Sequence, residues 1–201
     1  MEDLFPFKEG ILYSCLKTTE EGSYSITRRR DANRVMLWLE KIIGSLETKT
    51  ITDSTACNGG DTINFALKFK TVKSIELQDT NFEILKHNVE QYGLTNVDLF
   101  HGDCTKIMTW KSDVLYIDPP WGGPNYKLHE NLDLFLGTKR VDIWIEEILQ
   151  KNNLPSYIVL KVPQNYNFAR LFFFSKICEI KHQRIRGYFI IILKINQDKS
   201  P

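Results

Sequence analysis

"TITDSTACNGGDTINFALKFKTVKSIEL", residues 50–77, decides the fold of this chain. TITD (50–53) reads as a strand that runs into a polar turn, in which Gly59 and Gly60 permit close backbone approach. DTINFALKF then reads as a helix and TVKSIEL (71–77) as a second strand. Two strands joined by a helical crossover form a parallel pair. The alternation continues downstream. In TNFEILKHNVEQYG, Phe82, Leu85, Val89 and Tyr92 share one helical stripe, Thr80 and Glu83 have capping-box spacing, and Gly93 suits the helix end. NVDLF (96–100) and DVLYI (113–117) are short strands, a helix is expected over about 138–150, and SYIVLKV (156–162) is a buried-type strand. NFARLFFF is expected to be helical, and KICEIKHQR and YFIIILKI close the chain as strands. Upstream, DANRVMLWLEKII carries Val35, Trp38, Leu39 and Ile42 on one stripe with Asp31 as its N-cap. Residues 1–30 are mixed and irregular.

Helices between parallel strands cover both faces of a sheet. Only IRG joins the last two strands, too short for a parallel crossover, so the final strand is antiparallel. A mostly parallel seven-stranded α/β sheet with an antiparallel last strand resembles the Rossmann-like class I S-adenosylmethionine-dependent methyltransferases. The division expected is a short N-terminal extension, 1–30, and a domain over 31–201.

The 201 residues suffice for one sizeable core, and 42% hydrophobic with 25% charged residues is the balance of a globular protein. A net charge of +1 provides no global basic field, so any nucleic-acid contact must come from a local patch. The four cysteines contain no C-x-x-C pair, which argues against a zinc site and against a disulfide framework. MEDLFPFKEG lacks a signal-peptide pattern, and GYFIIILKI is too short to span a bilayer. The expectation is an intracellular protein of cytoplasm or nucleus, monomeric, with no metal and no membrane.

In doubly wound sheets, ligands sit outside the carboxyl ends of the strands. Three acids occupy such places. Asp53 follows the first strand and is suited to an ammonium group, directly or through water. Glu76 ends the second strand, about two dozen residues later, where a carboxylate typically binds ribose hydroxyls. Asp103, in HGDCT after the third strand, can accept from an adenine amine. Taken singly, Asp53 and Asp103 read equally as turn residues and Glu76 also has a plainer reading as a surface carboxylate; the combination is the specific signal. Without G-x-G-x-x-G, a nucleoside lacking a diphosphate is favoured over NAD.

DPPWGGPNY (118–126) follows the fourth strand. An exocyclic amine on a base is a poor nucleophile because its lone pair is delocalised into the ring. The Asp118 side chain and the Pro119 carbonyl can accept from its two N–H groups and turn the lone pair toward a methyl donor, while the prolines set the carbonyl direction. Trp121 offers a stacking face, and Gly122 and Gly123 let the backbone pass close to the base. The plainer alternative is a proline-rich turn with Trp121 simply packed.

These residues resemble the trimethylguanosine synthase family, guanine-N2 methyltransferases of the 7-methylguanosine RNA cap. EGSYSIT (21–27), DSTACNGGDTINFAL and NVEQYGL are similar to family segments, and the likeness covers roughly residues 4–175. It implies S-adenosyl-L-methionine as cofactor, held by Thr27, Asp53, Ala56, Asn58, Gly59, Glu76, Asp103 and Asp118. It implies catalysis by Asp118, Pro119 and Trp121. Capped RNA would be held by Trp121, stacked on the cationic base, with Tyr126 near the cap phosphates, and by Pro124, Tyr24, Ser25, Arg28 and Phe5 (or Phe7) around them. Three departures stand out. Cys57 replaces a loop glycine, so the loop should close differently there. Asp118 stands where the family often has Ser or Asn, adding a negative charge beside a cationic base. Gln164 replaces a phosphate-binding arginine, which Arg28, Arg29 and Arg30 could offset.

Two other functions fit the same residues: an N2-guanine or N6-adenine methyltransferase acting within RNA or DNA, and a cap- or RNA-binding module without catalysis.

Overall fold

The computed structural model describes residues 1–151 and 153–196. Seven strands form one sheet: β1 (Thr50–Asp53), β2 (Thr71–Glu76), β3 (Val97–His101), β4 (Val114–Ile117), β7 (Tyr157–Pro163), β8 (Cys178–Ile185) and β9 (Tyr188–Ile195). Their order is β3-β2-β1-β4-β7-β9-β8. Two-residue strands β5 (Phe135–Leu136) and β6 (Lys139–Arg140) make a separate ribbon. The chain divides into two compact units, Met1–Met108 and Thr109–Pro201.

In the first unit, β1–β2 and β2–β3 pair in parallel, with Asp53 opposite Ser74 and Glu76 opposite His101. Three helices connect or precede them: α2 (Arg29–Ile43), α3 (Gly60–Ala66) and α4 (Asp79–Gln91). Helix α4 ends as Gly93 suggested. This glycine takes φ 57°, its N–H donates to the Glu90 carbonyl at 2.9 Å, and that of Leu94 to the Val89 carbonyl at 3.4 Å. The start of α4 differs from expectation. Its N-cap is Gln78, and Thr80 lies inside the helix, so Thr80 and Glu83 form no capping box. Likewise Arg28 caps α2, and Asp31 lies buried in the first turn.

Residues 1–30 are more ordered than their composition suggests. They hold a one-turn 3-10 helix, Tyr13–Cys15, and α1 (Glu20–Ser25), whose N-cap Thr19 accepts from the Gly22 N–H. Phe5 and Leu16 are buried with Ile63, Leu85, Val89 and Tyr92 in one apolar cluster. The segment thus completes the core of the first unit.

In the second unit, β7 pairs in parallel with β4 and antiparallel with β9, and β9 pairs antiparallel with β8 through the Arg186–Gly187 turn. The last strand is therefore inserted between two others. Helix α6 is Val141–Leu149, shorter than the expected 138–150 because β6 takes up residues 139 and 140. Phe168–Lys176 is helical, as a 3-10 turn series. Among the described residues, no helix is long and apolar enough to cross a membrane, and all four cysteines are free thiols.

Candidate active site

Three acids sit at the carboxyl ends of the adjacent strands β1, β2 and β3. Glu76 is largely buried. One oxygen accepts from the Cys57 N–H at 2.7 Å and the other from the Gln78 N–H at 2.8 Å. Each carboxylate oxygen can take a second donor, so the geometry still suits a ligand hydroxyl. The Gly102 N–H donates to the Glu76 carbonyl at 2.9 Å, which brings the Asp103 turn beside Glu76. Asp103 caps the short helix α5 (Cys104–Ile107), accepting from the Thr105 N–H at 2.9 Å and hydroxyl at 2.7 Å. Burial works to raise its pKa, but the Thr105 hydrogen bonds and the Lys106 ammonium hold the carboxyl below the ordinary value. Asp53 is 1% exposed, accepting from the Thr62 hydroxyl at 2.6 Å and the Thr55 N–H at 3.3 Å. It is more enclosed than a direct partner of an ammonium group would be.

The turn between β1 and α3 carries the structural surprise. Cys57 adopts φ 47°, a left-handed conformation that costs an L-residue about 1–2 kcal/mol. The loop therefore keeps a glycine-type geometry despite the cysteine, contrary to the expectation that it would close differently. Its N–H bond to Glu76 offsets that strain. Burial, then the Glu76 charge, pushes the Cys57 thiol up to about 12, against a smaller lowering effect of the nearby Ser25 hydroxyl. Gly59 (φ 90°) caps α3, and a side chain there would strike Leu85.

Asn58 is 1% exposed and its amide is engaged by protein. Its oxygen accepts from the Thr18 and Thr19 hydroxyls and the Thr19 N–H, and its nitrogen donates to Asn81. It pins the N-terminal segment to the loop. This explains the glycine of EGSYSIT: a Cβ on Gly22 would lie 1.9 Å from the Asn58 oxygen. Ala56 is buried, and the Thr27 hydroxyl, also buried, donates to Asp61 at 2.9 Å. Tyr24, Ser25 and Arg28 are exposed. Phe5 is wholly enclosed in the core, so its ring has no open face for a base; the exposed aromatic nearby is Phe7, with the Arg29 guanidinium 5.0 Å from its ring centroid.

The second unit holds the D-P-P-W residues. Pro119 is buried and Asp118 partly so. The Trp121 indole is half-buried, edge-on to Tyr126 at 5.2 Å between centroids and tilted against Tyr188 at 6.3 Å. Its Nε1 is buried with no hydrogen-bond partner among the described residues. Among the described residues, a Cβ at Gly122 or Gly123 would meet nothing within 4 Å, so the backbone that follows Trp121 borders open space. The Asn165 amide donates to the Tyr126 and His129 carbonyls, both at 2.7 Å, and so fixes the 3-10 turn Pro124–Leu128. The side chain of Pro124 lies outside the described residues. Gln164 donates to the Arg186 carbonyl at 2.8 Å, tying β7 to the β8–β9 turn.

One residue escaped the sequence reading altogether. Lys161 on β7 is 3% exposed, and its ammonium lies 2.6 Å from Asp118 Oδ2. It also lies 5.6 Å from the Trp121 ring centroid and 5.4 Å from that of Tyr188. Asp118 is therefore charge-compensated, which corrects the expectation of a bare extra negative charge. A signal existed: a lysine between apolar neighbours on a buried strand needs a counter-charge.

In chemical terms, the first unit presents carboxylates fit for amine and hydroxyl groups. The second presents an aromatic face beside a carboxylate. Residues 48–198 match the family described as RNA cap guanine-N2 methyltransferase. The chain is similar to an uncharacterized protein of Acanthamoeba polyphaga mimivirus, 34% identical over 148 residues, covering 72% of this chain and 57% of that protein. It is also similar to the trimethylguanosine synthase of Schizosaccharomyces pombe, 32% identical over 113 residues, 51% of this chain and 45% of that one. The chain thus spans about half the length of the curated relatives it matches. The T. thermophilus 16S rRNA N2-guanine methyltransferase RsmC, solved with AdoMet and guanosine, shares the fold at TM-score 0.65 and 14% identity, covering 83% of this chain and 43% of that one. With 151 residues matched (198 − 48 + 1) out of 201, this chain belongs to the RNA cap guanine-N2 methyltransferase family.

Proposed function

We propose that the chain methylates the exocyclic N2 of a 7-methylguanosine RNA cap, with S-adenosylmethionine as methyl donor and capped RNA as partner. The observation that carries this reading is the half-buried Trp121 indole, set beside Tyr126 and Tyr188 three residues after Asp118. A flat aromatic face held by two others is a stacking platform, and a cationic base adds cation–π attraction of about 0.5–2 kcal/mol.

Bound S-adenosylmethionine supplies an electrophilic methyl on sulfur. Glu76 and Asp103 would hold its ribose and adenine, and the turn carrying Ala56, Asn58 and Gly59 would follow its backbone. Asp53 would act on the ammonium group through water. The Asp118 carboxylate accepts a hydrogen bond from the amino group, and the Pro119 carbonyl takes the other, so the nitrogen lone pair is aimed rather than spread into the ring. Alignment of this kind contributes up to about 7–11 kcal/mol in well-oriented systems. No strong base is needed before transfer, because the methylated nitrogen is acidic; Asp118 relays that proton outward. Tyr24, Ser25, Thr27 and Arg28 belong to the N-terminal extension, 1–30, that would close over the substrates, and Phe7 replaces Phe5 as the candidate wall.

A second reading, methylation of a neutral guanine within RNA, is favoured by one observation: the Lys161 ammonium near the Trp121 ring lowers the advantage of a charged base. Incubation with donor and either 7-methyl-GTP or GTP, followed by mass analysis, decides. Methylation of 7-methyl-GTP with little on GTP supports the cap reading; equal use of both refutes it.

A further inference from the structure

We propose that Lys161 is the specificity-determining residue of the acceptor pocket: its ammonium, ion-paired with Asp118 beside Trp121 and Tyr188, sets the preference between cationic 7-methylguanine and neutral guanine. This rests on the function proposed above. The placement follows from strand register. Ile117 of β4 pairs with Leu160 of β7, so the next residues along the two parallel strands, Asp118 and Lys161, emerge side by side. On the other side, Lys161 pairs with Ile190 and Pro163 with Tyr188, so Tyr188 shares the Lys161 face of the sheet. The remaining residues of β7 from Ile158 to Pro163 are buried and uncharged. An ammonium in such a strand is expensive unless paired, and Asp118 Oδ2 at 2.6 Å is that pair.

The pair matters to a ligand because of where its positive end lies. A base stacked on Trp121 would share the ring with the Lys161 ammonium, 5.6 Å from the centroid. Asp118 attracts a cationic base and Lys161 repels it. Neither charge acts comparably on neutral guanine. Removing one member changes the local charge by one unit of known sign, whatever other groups surround it. At about 6 Å and an effective dielectric near 20, one unit charge alters the relative affinity for a charged base by up to roughly a hundredfold, which solvent screening reduces to about tenfold.

The experiment is calorimetric titration of the whole chain with 7-methyl-GTP and with GTP, slightly below neutral pH, where 7-methylguanine keeps its charge. The readout is the ratio of the two affinities. K161M should raise the ratio in favour of 7-methyl-GTP roughly tenfold, D118N should lower it about as much, and K161R should leave it within about threefold of wild type. D118N/K161M removes both charges and should also return the ratio near wild type. This double variant keeps the test available if a single variant fails to fold, since neither charge is then left uncompensated. A merely structural lysine would weaken both nucleotides together and leave the ratio alone. Unchanged ratios across the variants, with a wild type that does discriminate, overturn the role of Lys161 while leaving the cap reading intact. A wild type that binds neither nucleotide overturns both.

Discussion

Trp121→Ala is the sharpest perturbation of the proposed pocket. Stacking of a base on an aromatic side chain is worth about 1–3 kcal/mol by alanine substitution, and a cationic base adds about 0.5–2 kcal/mol. Lys161 lies over the same ring, so the charge-dependent part falls at the low end. The expected loss is about 2–3 kcal/mol, a fall in 7-methyl-GTP affinity of roughly 30- to 150-fold. The fold should survive. The indole is only half-buried, its edge-on contact with Tyr126 is replaceable, and its Nε1 bonds to none of the described residues. Trp121→Phe keeps a face and removes an N–H that has no partner among the described residues, so it should retain most of the affinity with no loss of stability. The assay is calorimetric titration with 7-methyl-GTP and, separately, with S-adenosylmethionine, alongside thermal melts of each variant. Donor affinity should be unchanged. If Trp121→Ala melts normally and binds 7-methyl-GTP within about threefold of wild type, the stacking argument is wrong.

Three further outcomes follow from the geometry. Gly22→Ala should destabilise the chain by about 1–3 kcal/mol in urea unfolding, because the added Cβ lies 1.9 Å from the Asn58 oxygen; helix propensity alone predicts the opposite sign, so a stabilised variant would refute the close approach. Cys57 holds its proton up to about 12 against an ordinary 9.0, so its contribution to stability is complete below the ordinary value and is lost as pH rises from there toward about 12. In native protein at mildly alkaline pH, iodoacetamide should label the exposed Cys15 well before the partly buried Cys57, and equal rates would contradict the raised thiol. Asp133 is held below the usual carboxylate range by the Arg170 guanidinium, at 2.8 and 3.0 Å, with a further bond from Asn167. That stability is present above the unfolded pKa and disappears as pH falls through the folded one. Asp133→Asn should therefore cost about 1 kcal/mol near neutrality and flatten the acid side of the stability curve, and a parallel downward shift at all pH values would disprove the linkage.

The residues that made the fold legible are those whose local chemistry and tertiary place agree. Gly93 ends α4 because its left-handed φ satisfies two carbonyls, and nothing distant competes. The IRG link forces a hairpin whatever surrounds it. Where a local rule met a tertiary demand, the rule lost. Thr80 and Glu83 had capping spacing, yet α4 starts at Asp79, two residues too early for Thr80 to cap. Asp31 is a good N-cap by type, but α2 begins at Arg29 and draws Asp31 into its first turn. Phe5, in an acidic and proline-broken segment, lacks any periodicity that could mark it as core; it is buried because Leu85, Val89 and Tyr92 of the α4 region need a cover. The functional loops divide in the same way. DPPW was legible because rigid prolines and an aromatic at a strand end carry their meaning locally. Lys161 was not, because its meaning is relational. A lysine in SYIVLKV is an ordinary exception to an apolar strand until β4 is laid beside β7 and its ammonium falls against Asp118. A strand-end aspartate in a nucleobase pocket therefore cannot be interpreted from its motif alone: its charge belongs to whichever residue the neighbouring strand places beside it, and here that residue reverses half of what the motif suggested.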